Sequence, residues 1–171
     1  ADVTVVTDVG SCAATGVLLG TPTTADNCAV ASVTNDAPSS FPKGITVVTW
    51  TVTDTSGNST TATQKVTVND PEKPTITAPA DVTVVTDLES CAATNVQLGS
   101  PVTADNCEVA SVVNDAPASF PKGITTVIWT VTDTSGNSAT ATQKVTVNDA
   151  EPPAITCPDN ILITTDAGSC E

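Results

Sequence analysis

Apolar and polar residues alternate with a period of two along much of this chain. In Ile45-Thr46-Val47-Val48-Thr49-Trp50-Thr51-Val52-Thr53, the residues Val48, Trp50 and Val52 fall on one face and Thr49, Thr51 and Thr53 on the other. That pattern predicts a half-buried strand. In Ala62-Thr63-Gln64-Lys65-Val66-Thr67-Val68 the inward set is read as Ala62, Val66 and Val68. β-branched Val and Thr suit a pleated surface. Between these strands, Asp54-Thr55-Ser56-Gly57-Asn58 reads as a hairpin loop, and Phe41-Pro42-Lys43-Gly44 as a turn entering the Trp strand. No segment keeps a helical period over three turns. Roughly six or seven short strands in about 75 residues predict an all-β sandwich. Trp50 and Trp129 alternate with aliphatic residues, which places each at the centre of a core.

The pattern repeats. Ala1-Asp2-Val3-Thr4-Val5-Val6-Thr7-Asp8 returns unchanged from Ala80 to Asp87, a period of 79 residues. Cys12 returns as Cys91, Cys28 as Cys107 and Trp50 as Trp129, and a third copy opens at Pro158-Asp159-Asn160-Ile161. A unit of this size is a small domain in tandem, not half of a larger core. The expected division is 1–72, 73–151 and the start of a third copy at 152–171, so the chain is read as a piece of a longer array. The junctions Asn69-Asp70-Pro71-Glu72-Lys73-Pro74 and Asn148-Asp149-Ala150-Glu151-Pro152-Pro153 are short, acidic and proline-rich. Proline stiffens such segments, so the copies are expected to extend as a rod instead of folding back.

Composition narrows the function. The chain carries a net charge of −14, five Lys, and neither His nor Arg. Nucleic acid is therefore excluded as a partner, because phosphate binding needs clustered cations. Without His, acid–base and triad catalysis lack their usual group, and no catalytic residue is assigned. No run of about 18 apolar residues is present to span a membrane. Six cysteines at repeated spacings in small units point to an oxidising, extracellular compartment and a covalent staple. Zinc would want CxxC or His pairs, and neither occurs.

Thr24-Ala25-Asp26-Asn27-Cys28, the stretch from Phe41 to Trp50, Thr53-Asp54-Thr55-Ser56-Gly57-Asn58 and the closing Val66-Thr67-Val68-Asn69-Asp70 occur in an order and spacing that resemble the HYR (hyalin repeat) family. Pro74-Thr75-Ile76-Thr77-Ala78-Pro79 opens the next unit in the same style. The near-identical tandem copies are also similar to those of large Bacteroidetes surface and gliding-motility adhesins. The resemblance implies tandem immunoglobulin-like β-sandwich domains in an extended rod, outside the cell, serving adhesion and not catalysis. Neighbouring repeats, surface glycans and other filaments are the partners it suggests, and a stalk or spacer is the role it favours. A calcium-dependent adhesive module that binds its target directly is the rival.

Units of that family often carry four cysteines. Here the opening position is Ala78 and the last-strand positions are Ala62 and Ala141. Joint loss in the second copy is what a bonded pair would show. The resemblance thus implies that Cys12 pairs with Cys28, and Cys91 with Cys107, each closing a loop of about 17 residues worth roughly 3 kcal/mol in the chain-entropy model. Each unit would then be covalently self-contained. Cys157 and Cys170 are expected to be unpaired in this chain, with a bond between them as the alternative.

Calcium is the candidate ligand of the acidic loops. If the Asp-Asn-Cys loop and the hairpin of the second copy face the first junction, Asp105, Asp133 and Asn137 approach Asp70 and Glu72. These supply the oxygen ligands a hard cation wants. The competing reading makes the same Asp and Asn residues Asx-turns that shape the backbone. Outward Thr rows fit ice binding or O-glycosylation, but Thr is also an ordinary solvated strand residue. The Asn58-Ser59-Thr60 sequon has no counterpart in Asn137-Ser138-Ala139.

Overall fold

The computed structural model describes residues 1–163 and 167–168. Its strands follow the predicted alternation. The first copy contains β1 (Val3–Val6), β2 (Ala13–Thr15), β3 (Val30–Asn35), β4 (Ser40–Pro42), β5 (Gly44–Asp54) and β6 (Ser59–Asn69). The second contains β7 (Thr75–Thr77), β8 (Val82–Val85), β9 (Ala92–Thr94), β10 (Val102–Ala104), β11 (Val109–Asn114), β12 (Ser119–Pro121), β13 (Gly123–Asp133) and β14 (Ser138–Asn148).

Each copy is a two-layered, immunoglobulin-like β-sandwich. One layer is a four-stranded sheet, β1-β6-β5-β3 in the first copy and β8-β14-β13-β11 in the second. Its first and last strands run parallel, and the long hairpin pairs antiparallel from Gly44 opposite Val68 to Thr53 opposite Ser59. The other layer is built of two-stranded ladders, β2-β4 in the first copy and both β9-β12 and β7-β10 in the second. Among the described residues, no strand of one copy pairs with a strand of the other. The sheets of the two copies are therefore separate.

The core forms where inward faces of the two layers meet. In the second copy, Val127, Trp129, Val145 and Val147 pack against Phe120 and Ala93, with Ile76 and Ala78 at the margin. The first copy repeats this with Val48, Val66, Val68, Phe41 and Ala14. Trp50 is only half-buried, whereas Trp129 is 6% exposed. The difference has a local cause. In the second copy β7 lies over this part of the core and pairs with β10, with Ile76 packed against the cluster that holds Trp129.

One inward position departs from the sequence reading. Ala62 is exposed, and the buried residues of β6 are Gln64, Val66 and Val68. Gln143, the equivalent in β14, is fully buried at 0% exposure. A buried indole N–H needs an acceptor. Trp129 Nε1 donates to Gln143 Oε1 at 3.1 Å, and Gln143 Nε2 donates to the carbonyls of Ala80 at 2.7 Å and Leu98 at 2.8 Å. One amide thus fastens the tryptophan, the segment between β7 and β8, and a loop. The first copy makes the same set through Trp50, Gln64, Ala1 and Leu19.

Gln143→Leu keeps the volume but orphans one donor and two acceptors in the core. Denaturant unfolding followed by Trp fluorescence is expected to show the second copy destabilised by about 2–4 kcal/mol. The matching Gln64→Leu is expected to cost less, because water reaches Trp50.

Candidate functional site: the junction between copies

The copies meet end to end. β5 and β6 carry their hairpin at one pole of the sandwich and the Lys43 turn and Asn69 at the other. The second copy presents its hairpin pole, with Asp133 to Asn137 and the Asp105-Asn106-Cys107 loop, to the first copy's opposite pole.

Local turn chemistry shapes the incoming loops. Asp133 Oδ1 accepts from the backbone N–H groups of Ser135 and Asn137, each at 2.8 Å, and Gly136 takes φ 87°. Asp105 Oδ2 accepts from the N–H groups of Cys107 and Glu108, each at 2.9 Å. Both are Asx-type arrangements, and the first copy builds the same ones on Asp54 and Asp26. The turn reading of these residues is thus visible in the geometry.

The same loops also dock. Asn137 Nδ2 donates to the carbonyl oxygens of Asp70 at 3.0 Å and Glu72 at 2.9 Å, and to Asp133 Oδ2. Asn106 Nδ2 donates to the Ser11 carbonyl at 2.9 Å and to Asp70 Oδ1 at 3.2 Å. Ser135 Oγ donates to Asp70 Oδ2 at 3.0 Å. From the first copy, Lys43 Nζ reaches across to Thr134 Oγ1 at 2.7 Å and Ser135 Oγ at 2.6 Å.

A disulfide closes this seam, and it overturns the expected pairing. Cys12 is bonded to Cys107 of the next copy, 95 residues away in sequence, not to Cys28. Cys91 is likewise not bonded to Cys107. Cys28, Cys91 and Cys157 are exposed thiols, and Cys170 lies outside the described residues. The physical reason is polarity within the unit. Cys12 follows β1, whose parallel partner β6 ends at the outgoing pole, while Cys28 sits beside the hairpin at the incoming pole. The two cysteines of one copy therefore lie at opposite ends, and each finds its mate only in a neighbour.

The candidate calcium residues divide. Asp70, Asp105 and Asp133 converge, with one carboxylate oxygen from each lying within 4.8 Å of the others. Glu72 does not join them with its side chain, because its Oε2 accepts from the Gly10 N–H at 3.0 Å. Asn137 contributes its amide N–H groups as a clamp. Asp70 and Asp133 are buried, at 7% and 2% exposure. Asp105 Oδ1 and Asn106 Oδ1 are buried oxygens without a hydrogen-bond partner.

Burial works against the charge of Asp133, yet its carboxyl is held below the ordinary 3.8 by the hydrogen bonds from Asn137, Ser135 and Gly136. Asp54, its equivalent in the first copy, is likewise lowered by Asn58, Ser56 and Gly57. Asn106, Ser135 and Lys43 were not singled out from the sequence. The signal for Asn106 was its place between the loop Asp and the cysteine.

Two outcomes check this geometry. Peptide mapping without reductant is expected to join the Cys12 and Cys107 peptides. A lowered folded value makes the Asp133 contribution fully present above 3.8 and lost as pH falls through that folded value. Asp133→Ala should therefore melt below the wild type at neutral pH, with the gap narrowing as the pH is taken below 3.8.

Comparison with known proteins follows the architecture. The sequence profile of the HYR domain matches residues 6–68 and 69–147. A hyalin of Lytechinus variegatus is 36% identical over 162 residues, which is 86% of this chain and 30% of that protein. A hyalin of Strongylocentrotus purpuratus is 36% identical over 156 residues, 82% of this chain and 13% of that protein. The chain thus spans less than a third of either relative. Among solved structures, the EC1-2 fragment of human protocadherin-24 aligns with a TM-score of 0.41 at 10% identity, covering 86% of this chain and 95% of that one. Drosophila N-cadherin EC1-4 aligns with a TM-score of 0.33 at 16% identity, covering 63% of this chain and 32% of that one. With two consecutive matches that account for most of its length, the chain belongs to the HYR domain family.

Proposed function

We propose that this chain is a length of stalk from an extracellular, cell-surface adhesin, in which repeats hold a distal part away from the surface. The carrying observation is the end-to-end junction, fastened by the Cys12–Cys107 bond and by Lys43, Asn106, Ser135 and Asn137. A spacer needs its successive units held at one angle, and this seam constrains both bend and twist. The disulfide fits an oxidising compartment outside the cell, and membership of the HYR family supports an adhesion-type module. The reading gives the chain no catalytic role. Its bacterial setting rests on the resemblance of the tandem copies alone.

A second element of the reading concerns calcium. Three carboxylates crowded into a buried seam repel one another, and one of them keeps an oxygen without a donor. A hard divalent cation would relieve both conditions. Asp70, Asp105 and Asp133 would hold it, with Asp105 Oδ1 as the uncommitted ligand, and its charge would stiffen the seam further.

Solution scattering on the oxidised chain is expected to give an elongated particle whose maximum dimension is set by two stacked sandwiches. A compact, folded-back particle would sink the stalk reading, and saturable binding to glycans would replace it with direct recognition. Calcium at millimolar concentration is expected to raise the melting temperature over that in chelator, and Asp105→Asn to remove the rise. No rise in the wild type would remove the cation from the seam while leaving the stalk in place.

A further inference from the structure

The Cys12–Cys107 bond lies among the polar contacts of the seam. The Cys107 N–H donates to Asp105 Oδ2 at 2.9 Å. Asn106, between those two residues, donates through Nδ2 to the carbonyl of Ser11, the residue before Cys12, and to Asp70 Oδ1. One turn therefore carries a sulfur of the bond, one carboxylate, and the amide that ties a second carboxylate to it.

No positive charge balances these carboxylates. Asp70, Asp105 and Asp133 each bring an oxygen within 4.8 Å of the others, and Asp70 and Asp133 are buried from screening water. The donors that meet them are neutral: the Glu72 N–H, Asn106 and Ser135 at Asp70, Ser135 and Asn137 at Asp133, and the Cys107 and Glu108 N–H groups at Asp105. Lys43 crosses the seam, but its Nζ binds the hydroxyls of Thr134 and Ser135 and not a carboxylate. Among the described residues no ion pair joins the two copies, since Lys122 and Asp149 pair within the second. Asp70 belongs to the first copy and Asp105 and Asp133 to the second. The repulsion therefore acts across the seam, and separating the copies relieves it.

We propose that the Cys12–Cys107 bond is a redox-sensitive latch on a joint that its own carboxylates push apart. With the bond intact, the copies stay docked against the repulsion. Reduction by a small thiol releases them and turns the stiff joint into a hinge. Cys12 and Cys107 are both half-buried, so a small thiol can reach the sulfurs. Its thiolate attacks one cysteine sulfur, forms a mixed disulfide and expels the other cysteine as thiolate. A second thiolate attacks the mixed disulfide, expels the remaining cysteine and leaves as the small-molecule disulfide. The two protons of the spent thiols pass to Cys12 and Cys107.

Linkage makes the latch measurable. Charge that opposes docking opposes bond formation by the same factor. The Cys28→Ser/Cys91→Ser/Cys157→Ser/Cys170→Ser chain is equilibrated in chelator with 2-mercaptoethanol and its disulfide, both uncharged. The oxidised fraction of Cys12 and Cys107 is read by mass spectrometry after the thiols are blocked. Asp105→Asn keeps the oxygen that shapes the turn and removes the charge. It is expected to raise the equilibrium constant for bond formation by about tenfold at low salt. Added salt is expected to raise the wild-type constant and narrow that gap. Asp81→Asn removes an exposed charge away from the seam, on the carboxylate that accepts from the Lys144 N–H, and is expected to change nothing. Scattering from the reduced wild type is expected to show a wider spread of inter-domain angles than the oxidised chain gives. An unchanged or lowered constant in Asp105→Asn, an equal rise in Asp81→Asn, or superimposable scattering before and after reduction would overturn the proposal. The stalk reading rests on the oxidised joint and survives each of those results, and the chelator keeps the test independent of calcium.

Discussion

The buried carboxylate of Asp70 is the constraint around which the junction is arranged. A charge taken out of water must be met by donors, or burial costs more than docking returns. Asp70 directly follows β6, the last strand of its unit, so it lies where the next unit arrives. Asn106 and Ser135 supply donors from that unit, and the Glu72 N–H supplies one from the linker. Asn137 meanwhile takes up the main-chain oxygens of Asp70 and Glu72. Asp149 shows the alternative, an exposed carboxylate held below 3.8 by the Glu151 N–H and by Lys122. At Asp70 neutral donors stand where Lys122 stands at Asp149, and Lys43 reaches Thr134 and Ser135 instead.

That exchange leaves the seam rich in negative charge. Asp105 and Asp133 arrive with the loops that dock, because each is also the residue that shapes its loop. The Asx-turn role and the crowding of carboxylates are consequences of one placement and do not compete. The disulfide holds the loops together despite the repulsion, and the amide clamps fix their orientation. Covalent and polar contacts at the seam therefore have distinct tasks, one keeping the units in proximity and the other setting their angle.

Much of the fold was legible in the strand alternation. Val48, Val127 and Trp129 are buried as their parity requires, and the long hairpin turns at Gly57 and Gly136. Gln64 and Gln143 were missed because a polar residue on an apolar face is visible as a core residue only once its partner indole is placed. The convergence of Asp70, Asp105 and Asp133 could be read because repeats joined tail to head put those segments at one seam. The cysteine pairing could not be read from the family likeness. Joint loss of two cysteines says which ones belong together, and the survivors can mate within a unit or between units with equal economy. The direction of β1 against β6 decides it, and that direction is a property of the folded sheet. The Gly10 position also carries a lesson. Glu89 replaces it at φ 57°, and its N–H is held by Glu151, so the loop keeps its left-handed turn with a side chain that rarely adopts one.

The placement of the sulfur bridge changes how the chain answers a pull. With Cys12 bonded to Cys107, a pull on the two ends cannot draw out the intervening span, with its 95-residue separation. About 310–340 Å of slack is thereby withheld at the usual reach of an extended residue. The whole first long hairpin lies inside that sheltered span. The first copy's core residues, from Ala14 to Val68, are enclosed by the bond, while the long hairpin of the second copy lies beyond Cys107 and stays on the load path.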